Sequence, residues 1–264
     1  MNRQAVADLS ADAGGESRSW RTTRILLLAL LAALILRSFI VAPFTIPSGS
    51  MMPRMLIGDY LFVAKWPFRL PLGSLATPAR GDILIFSDPD GTGENYVKRV
   101  IGLPGDEIFL RAGNVHLNGQ PLVRRRIADF AVAVSPNSPC AAVGDEVTML
   151  RREDGSRLCL YPRYVETLPN GRSYEIIDQG RVWSADDMPA LVVPRGHYFL
   201  LGDNRDDSAD SRFGPAEDGV GLVPQERLIG RALVTFFSVD GSARWRDPPS
   251  WLEAVRWSRI GKVY

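Results

Sequence analysis

Gly-Asp dipeptides recur along this chain, and each leads directly into an apolar or alternating run of residues. Four examples are Gly58-Asp59, Gly81-Asp82, Gly105-Asp106 and Gly144-Asp145. Turn residues followed by β-branched and aromatic residues are typical of β-strands. Because no amphipathic helical pattern of comparable length separates these runs, the sequence predicts a mainly β fold with antiparallel sheets. The more polar stretch from about 112 to 192 is predicted to be an inserted, smaller β subdomain.

One apolar segment, residues 25–42, precedes the predicted β region. As a helix it would span about 27 Å, close to the thickness of the hydrocarbon core of a bilayer. Arg37 interrupts it near one end, where a guanidinium can reach the interface. A cleaved secretory signal is the alternative, but the segment lies far along the chain and Pro43 directly follows the small residue Ala42. The sequence therefore favours one uncleaved N-terminal transmembrane helix.

Arginines are distributed unevenly about this apolar segment. Those that precede it are Arg18, Arg21 and Arg24, whereas only Arg54 follows at a comparable distance. Positively charged flanks stay preferentially on the cytoplasmic side of a membrane. We therefore expect a cytoplasmic tail over residues 1–24, a single-pass anchor over 25–42 and an extracytoplasmic domain over 43–264.

The composition argues against several classes of function. Of the 264 residues, 45% are apolar and 23% are charged, which is typical of a globular protein. The formal net charge is +1 and no basic cluster with interleaved aromatic residues occurs, so nucleic-acid binding is not expected. Cys140 and Cys159 lack the spacing of a zinc site, and no metal is expected. Outside the cytoplasm they would form either a disulfide or two buried thiols, and the sequence leaves both open.

The run from Pro47 to Pro53 holds a serine, Ser50, between a glycine and two prolines. Such a run is non-helical and conformationally constrained, so the backbone directs the hydroxyl. Because the run lies a few residues beyond the predicted anchor, its chemistry would take place near the bilayer face. Ser50 is the candidate nucleophile.

A serine nucleophile needs a base, and the chain offers two histidines and one well-placed lysine. A Ser-His-Asp arrangement would require His116 or His197 beside Ser50, but neither lies in a recognisable catalytic setting. Lys98 lies in a strand-like run among apolar neighbours. Burial would disfavour its charged form and lower its pKa, so that a neutral amine could take the serine proton. The alternative is an ordinary surface lysine paired with acids.

A third segment, residues 202–212, is dense in short polar side chains between two apolar strands. Its spacing fits a calcium loop poorly, because the glycine and terminal glutamate of such loops are missing. A solvated loop is a second alternative. The segment is also suited to a hydrogen-bonding scaffold that orients a catalytic group.

Taken in order, these segments resemble the bacterial type I signal peptidases, membrane-anchored Ser/Lys proteases that remove signal peptides from exported proteins. The resemblance covers nearly the whole chain and is carried by the N-terminal anchor and the motifs RSFIVAPFTIPSGSMMP, GDYLFVAK, RGDILIF, YVKRVIGLPGD, GDNRDDSADSR and LVPQERLIGRA. It implies an antiparallel β catalytic domain with an inserted β subdomain. It also implies location in the bacterial inner membrane with the catalytic domain on the periplasmic side. The expected partners are the lipid bilayer and signal-peptide-bearing precursors.

The resemblance implies a role for each candidate residue, and it implies no cofactor. Ser50 would be the nucleophile and Lys98 the general base. The oxyanion would be held by the Ser48 hydroxyl and the Ser50 backbone N–H, and Ser208 would hydrogen-bond the Lys98 amine. The supporting charges would be Asp210, Arg212, Asp203 and Arg99. The shallow pockets that select Ala-x-Ala sequences would be lined by Phe44, Ile46, Tyr96 and Val97.

The chain departs from the family pattern in two places. Arg54-Met55 stand where the family usually has Thr-Leu, which puts a positive charge near the predicted site. Some relatives carry two N-terminal spans, whereas one is predicted here. The C-terminal residues Trp251, Val255 and Trp257 alternate with Arg256 and Arg259, a pattern compatible either with a lipid interface or with packing on the domain.

Three rival functions remain at the level of sequence. The first is a dedicated Ser/Lys processing peptidase of the same fold, which would have a narrower substrate range. The second is a self-cleaving repressor relative, which the anchor and the lack of a DNA-binding helix pair oppose. The third is a non-enzymatic, membrane-anchored β module that binds partners through the polar loop.

Overall fold

The computed structural model describes residues 18–35, 40–65, 77–88 and 93–264. The first described element is helix α1 (Arg18–Ile35), which begins in the predicted cytoplasmic tail. The remainder of that tail, and residues 36–39 of the predicted anchor, lie outside the described residues. No helix within the described ranges combines the length and the apolar character needed to cross a membrane.

The remainder of the described chain is dominated by strands. In chain order the elements are β1 (Val41–Thr45), β2 (Asp59–Ala64), β3 (Ile83–Ser87), β4 (Asn95–Gly102), β5 (Glu107–Arg111), β6 (Asn114–Leu117), β7 (Gln120–Pro121), β8 (Val123–Ala133), β9 (Thr148–Arg151), β10 (Arg157–Thr167), β11 (Ser173–Ile177), α2 (Trp183–Asp186), β12 (Met188–Val192), β13 (His197–Leu201), β14 (Val223–Pro224), β15 (Leu228–Ser238) and α3 (Pro248–Glu253). Single 3₁₀ turns occur at Pro215–Glu217, Gln225–Arg227 and Trp257–Arg259. The prediction of a mainly β chain is confirmed.

The strands form three sheets. The large sheet contains seven strands in the order β1-β2-β15-β3-β4-β13-β14. One smaller sheet has the order β11-β10-β8, with β9 also paired to β10, and the other has the order β12-β5-β6-β7. Every strand pair within these sheets is antiparallel, as predicted.

Both smaller sheets come from the part of the chain between β4 and β13. In the large sheet β4 and β13 are direct neighbours, and Phe199 lies opposite Gly102. The two smaller sheets are therefore enclosed by one excursion from the large sheet. This excursion begins before residue 112, because β5 pairs with β6 of the predicted insertion.

The Gly-Asp turns start strands as predicted, and their aspartates are also structural. β2 begins at Asp59 itself, and β3, β5 and β9 follow the other three dipeptides. At the first, Gly58 has φ +87° and any Cβ there would lie 2.3 Å from the carbonyl oxygen of Val239, so only glycine fits. The Asp59 carboxylate accepts a hydrogen bond from the Leu56 N–H at 2.9 Å. Asp82 and Asp106 likewise each accept from the backbone N–H of the residue three positions earlier. The three carboxylates also form ion pairs: Asp59–Arg259, Asp82–Arg172 and Asp106–Arg80.

The two cysteines form a disulfide, with their Cα atoms 5.4 Å apart, which decides the alternative that the sequence leaves open. Cys159 is fully buried in an apolar cluster with Met52 and Leu56. Because these two residues follow Ser50 in the chain, the disulfide lies in the core that supports the serine turn.

The C-terminal segment packs on the domain through its arginines. Arg256 donates a hydrogen bond to the Ile57 carbonyl oxygen at 2.8 Å, and Arg259 donates to the Arg54 carbonyl oxygen at 2.9 Å. The neighbouring indole side chains, those of Trp251 and Trp257, are exposed. The segment therefore braces the turn after Ser50 with its polar side.

Candidate active site

Ser50 lies in the turn that follows β1, and buried methionines fix that turn. Met51 and Met55 are buried in the apolar cluster beneath it. The Met52 N–H donates to the Gly49 carbonyl oxygen at 3.0 Å, and the Met55 N–H donates to the Met51 carbonyl oxygen at 2.9 Å. Only 7% of Ser50 is exposed. The hydroxyl is thus directed by a rigid backbone.

Lys98 reaches the same hydroxyl from the large sheet. Its Nζ lies 2.7 Å from Ser50 Oγ, at hydrogen-bonding distance. Lys98 is part of β4, and it lies opposite Leu84 of β3. Only 3% of Lys98 is exposed, so the surface-lysine alternative is wrong.

Burial controls the charge state of this amine. It lowers the pKa of Lys98 from 10.5 to about 8, because the charged form loses hydration. The carboxylate of Asp210 acts in the opposite sense and raises the pKa, while the Arg212 charge lowers it again. A substantial fraction of the amine is therefore neutral at mildly alkaline pH.

Two possible hydrogen-bond donors lie close to the Ser50 hydroxyl, the Ser48 hydroxyl and the Ser50 backbone N–H. Ser48 Oγ is 3.3 Å from Ser50 Oγ. The Ser50 N–H has no hydrogen-bond partner within the described part of the chain. Donors left free beside a nucleophile can stabilise a negative oxygen without reorganisation.

The polar loop that follows β13 surrounds Lys98 with paired charges. Asp203 accepts two hydrogen bonds from Arg99, each of 2.6 Å, and both residues are buried. Asp210 accepts from Arg212 Nε at 2.8 Å and from the Gly202 N–H at 3.0 Å. Burial acts to raise the pKa of Asp210, but the Arg212 charge and these hydrogen bonds outweigh it and hold the pKa below its usual value. The Asp210 carboxylate is therefore ionised, and both carboxylates have a structural role as partners of buried arginines.

Ser208 differs from the sequence prediction. Its hydroxyl is buried and has no hydrogen-bond partner among the described residues, so the predicted bond to the Lys98 amine is absent. The hydroxyl instead packs against Gly202, where an added Cβ would lie 2.2 Å from Ser208 Oγ. The group is nevertheless inside the loop that encloses Lys98.

A cavity of about 120 Å³ opens beside the serine and lysine. Its lining includes three of the four predicted pocket residues, which are Ile46, Tyr96 and Val97. The fourth, Phe44, does not line it but packs against the apolar cluster that contains Ile46. A cavity of this size admits a small side chain next to the nucleophile.

Four buried residues near the site are not predicted from the sequence. Asn204 donates its backbone N–H to the Ser50 carbonyl oxygen at 3.0 Å. Arg205 forms an ion pair with Glu166 of β10, and the Tyr174 hydroxyl donates to Glu166 at 2.7 Å. The only indication of Asn204 and Arg205 in the sequence is that they lie in a loop rich in polar residues. Glu166 lies in a strand with nothing to mark it.

The two histidines considered as alternative bases, and the arginine that departs from the family pattern, make contacts elsewhere in the molecule. His116 stacks on Phe109 in a smaller sheet, at a centroid distance of 4.3 Å. His197 Nδ1 is 3.1 Å from the Arg195 carbonyl oxygen on the surface. Arg54 donates to the Val263 carbonyl oxygen at 2.6 Å, so its guanidinium turns toward the C-terminal segment.

Residues 19–237 match the family described as signal peptidase, peptidase S26. Among curated proteins, a signal peptidase I from Rickettsia typhi is 34% identical, with 87% of this chain and 88% of that protein covered. The signal peptidases I of Buchnera aphidicola and Pseudomonas aeruginosa are both 32% identical, over 89% of this chain and 78% and 76% of theirs. A solved signal peptidase I from Enterococcus faecalis aligns with 60% of this chain and 98% of its own at 25% identity, with a TM-score of 0.30.

A buried serine beside a lysine, in a sheet scaffold with these relatives, defines a serine endopeptidase. The chain belongs to the signal peptidase family, peptidase S26.

Proposed function

We propose that this protein is a membrane-bound signal peptidase that removes N-terminal signal peptides from exported precursors after small residues, in the pattern Ala-x-Ala. One observation carries the proposal: Lys98 Nζ lies 2.7 Å from Ser50 Oγ in a site that water scarcely reaches. A neutral amine in that position is a general base for the hydroxyl.

The chemistry follows from these two side chains. The neutral Lys98 amine takes the Ser50 proton while Oγ bonds to the scissile carbonyl carbon. The Ser50 N–H and the Ser48 hydroxyl donate to the resulting oxyanion, and losing one such donor costs about 2.7–4 kcal/mol. The Lys98 ammonium then gives its proton to the leaving amine, and the acyl-enzyme ester remains. Water hydrolyses that ester with Lys98 again as the base.

Substrate selection is assigned to the cavity beside Ser50. Its volume is about 120 Å³, and the resemblance to the family assigns it to the small side chains of an Ala-x-Ala site. The apolar contacts come from Ile46 and Val97, which are both buried. Signal-peptide-bearing precursors with small residues before the cleaved bond are therefore the proposed partners.

The membrane position of the site is part of the proposal. Residues 1–24 would be cytoplasmic. The anchor that begins at residue 25 would span the inner membrane once and end before Val41, because Val41 and Ala42 pair with β2 as part of β1 rather than with lipid. The domain that follows would be the periplasmic catalytic domain. The run of apolar residues and the flanking arginines support this arrangement. The Cys140–Cys159 disulfide is compatible with an oxidising compartment. A tethered site close to the bilayer would meet the cleavage region of a membrane-inserted precursor at high effective concentration.

The test uses the full chain in detergent or vesicles, with several unrelated precursors that carry Ala-x-Ala sites. Ser50→Ala and Lys98→Ala are expected to abolish cleavage, whereas Lys262→Ala, a matched change outside the site, should leave it intact. Replacing the last alanine of the site by leucine should prevent cleavage. Activity in both site variants would eliminate the mechanism, and cleavage of a single precursor would favour a dedicated processing peptidase.

A further inference from the structure

Asn204 holds both peptide groups that flank the nucleophile. Its backbone N–H donates to the Ser50 carbonyl oxygen at 3.0 Å. Its side-chain Nδ2 donates to the Gly49 carbonyl oxygen at 3.3 Å. Asn204 is fully buried, and it belongs to the loop that also carries the charges around Lys98. One residue therefore grips the Gly49–Ser50 and Ser50–Met51 peptides together.

The orientation of the Asn204 amide is set by a second amide. Gln179 Nε2 donates to Asn204 Oδ1 at 3.0 Å, while Gln179 Oε1 accepts the Val143 N–H at 2.9 Å. Gln179 is also fully buried. Because Val143 can only donate, Gln179 must present its NH₂ group to Asn204. Asn204 must then present its own NH₂ group to Gly49.

This chain of amides determines where the Ser50 N–H points. The Gly49–Ser50 peptide is trans, since the only cis bond among the described residues is Met52–Pro53. In a trans peptide the C=O and N–H point in opposite directions. Donors from Asn204 and Met52 occupy the Gly49 oxygen on the protein side. The Ser50 N–H, which lacks a partner in the described chain, is thereby directed away from them.

We propose that Asn204 and Gln179 are positioning residues that orient the Ser50 N–H as an oxyanion donor, and that Gln179 thereby couples the inserted β region to catalysis. This inference rests on the proposed function. It adds a group that acts through the Gly49–Ser50 peptide and leaves the Ser50–Lys98 contact untouched. Gln179 lies just after β11, so the excursion between β4 and β13 contributes to the site.

The experiment compares Asn204→Asp with wild type in the full chain. The substitution keeps the shape and the acceptor for Gln179 but places an oxygen against the Gly49 oxygen. We expect kcat to fall by roughly tenfold to a hundredfold with KM within about twofold, because the lost interaction acts on the transition state. Affinity for a peptide aldehyde, which forms a tetrahedral adduct, should fall by the same factor. The added carboxylate lies in the loop around Lys98 and is expected to move the acid limb to higher pH, so kcat is compared on the plateau above that limb.

Two further variants separate positioning from folding. Gln179→Met removes the amide that orders Asn204 without touching the serine turn, and it should lower kcat in the same way but less. Asn137→Asp removes a similar amide-to-carbonyl bond, of 3.0 Å to Val239, and should leave kcat unchanged. The inference would be overturned if folded Asn204→Asp and wild type had equal kcat and equal affinity for the aldehyde. It would also be overturned if the loss of kcat in the three variants simply paralleled their loss of thermal stability. If wild type itself cleaves no precursor, or Ser50→Ala cleaves as well as wild type, the proposed function fails instead.

Discussion

Lys98 and Arg99 are adjacent in β4 and both are buried, yet only Arg99 forms an ion pair among the described residues. Burial acts to lower the pKa of the Arg99 guanidinium, whereas the charge and hydrogen bonds of Asp203 act to raise it, and the net effect is a raised pKa. Lys98 meets a serine hydroxyl instead, and burial lowers the pKa of its amine to about 8. The strand thus places one permanent cation and one readily deprotonated amine side by side. The pH dependence of the enzyme should follow from the second.

Activity should rise with pH as Lys98 loses its proton. Because the pKa of the amine is about 8, kcat/KM is expected to increase through that pH and to level off above it. A pH–rate profile on a peptide substrate measures this limb. An acid limb near 6.5 would point to a histidine instead and would contradict the role of Lys98.

Charge substitutions around Lys98 should move this limb in opposite directions. Asp210 raises the pKa of the amine and Arg212 lowers it. Asp210→Asn is therefore expected to shift the limb to lower pH, and Arg212→Gln to higher pH. The comparison needs pH profiles of kcat/KM for both variants under one ionic strength. Shifts of the same sign would show that the two charges do not act on Lys98 as the geometry indicates.

Lys98→Met should stabilise the fold while abolishing activity. Below pH 8 the amine is protonated in both folded and unfolded chains, so the folded state carries the full cost of burying a cation. That cost is about 3 kcal/mol at 1.36 kcal/mol per pKa unit, and it disappears as the pH rises from 8 to 10.5. Denaturant unfolding at pH 7 should show that the variant is more stable than wild type. The difference between their free energies of unfolding should be smaller at pH 10. An equal difference at both pH values would refute this reading.

Gly202→Ala should inactivate the enzyme by crowding. A Cβ at this position would lie 2.2 Å from Ser208 Oγ and 2.6 Å from the Ser50 carbonyl oxygen. Since the second neighbour is backbone, the serine turn must shift, and we expect kcat to fall by at least about a hundredfold, as for loss of an oxyanion donor. Gly214→Ala is the matched control, because nothing lies within 4 Å of its added Cβ. Similar kcat values for the two variants would contradict this prediction, because they would mean that the serine turn accommodates the added Cβ without losing activity.

Local sequence signals were sufficient for much of the fold. The Gly-Asp turns predicted β2, β3, β5 and β9 because a turn followed by an apolar run is a property of neighbouring residues. The serine and lysine were identified in the same way, each from its own segment. Their contact depends on how β4 lies beside the serine turn, and the resemblance to a family supplied that information.

Long-range partners could not be predicted from the sequence. Asp59 and Arg259 form an ion pair although they lie far apart in the sequence, and nothing in the sequence near either residue indicates its partner. Gln179 lies in the polar stretch that was predicted only as an insertion, but its amide touches Asn204. Ser208 was assigned a bond to Lys98 that the structure lacks, because a motif specifies which residues are close but not where a hydroxyl turns.

The hold of Arg259 on Asp59 and on the Arg54 carbonyl has a consequence for biosynthesis. The serine turn is synthesised long before Arg259, so the nascent polypeptide lacks these contacts on its serine turn until the segment around Arg259 has also emerged from the ribosome. A chain that ends before Arg256 is therefore expected to hold Ser50 less rigidly.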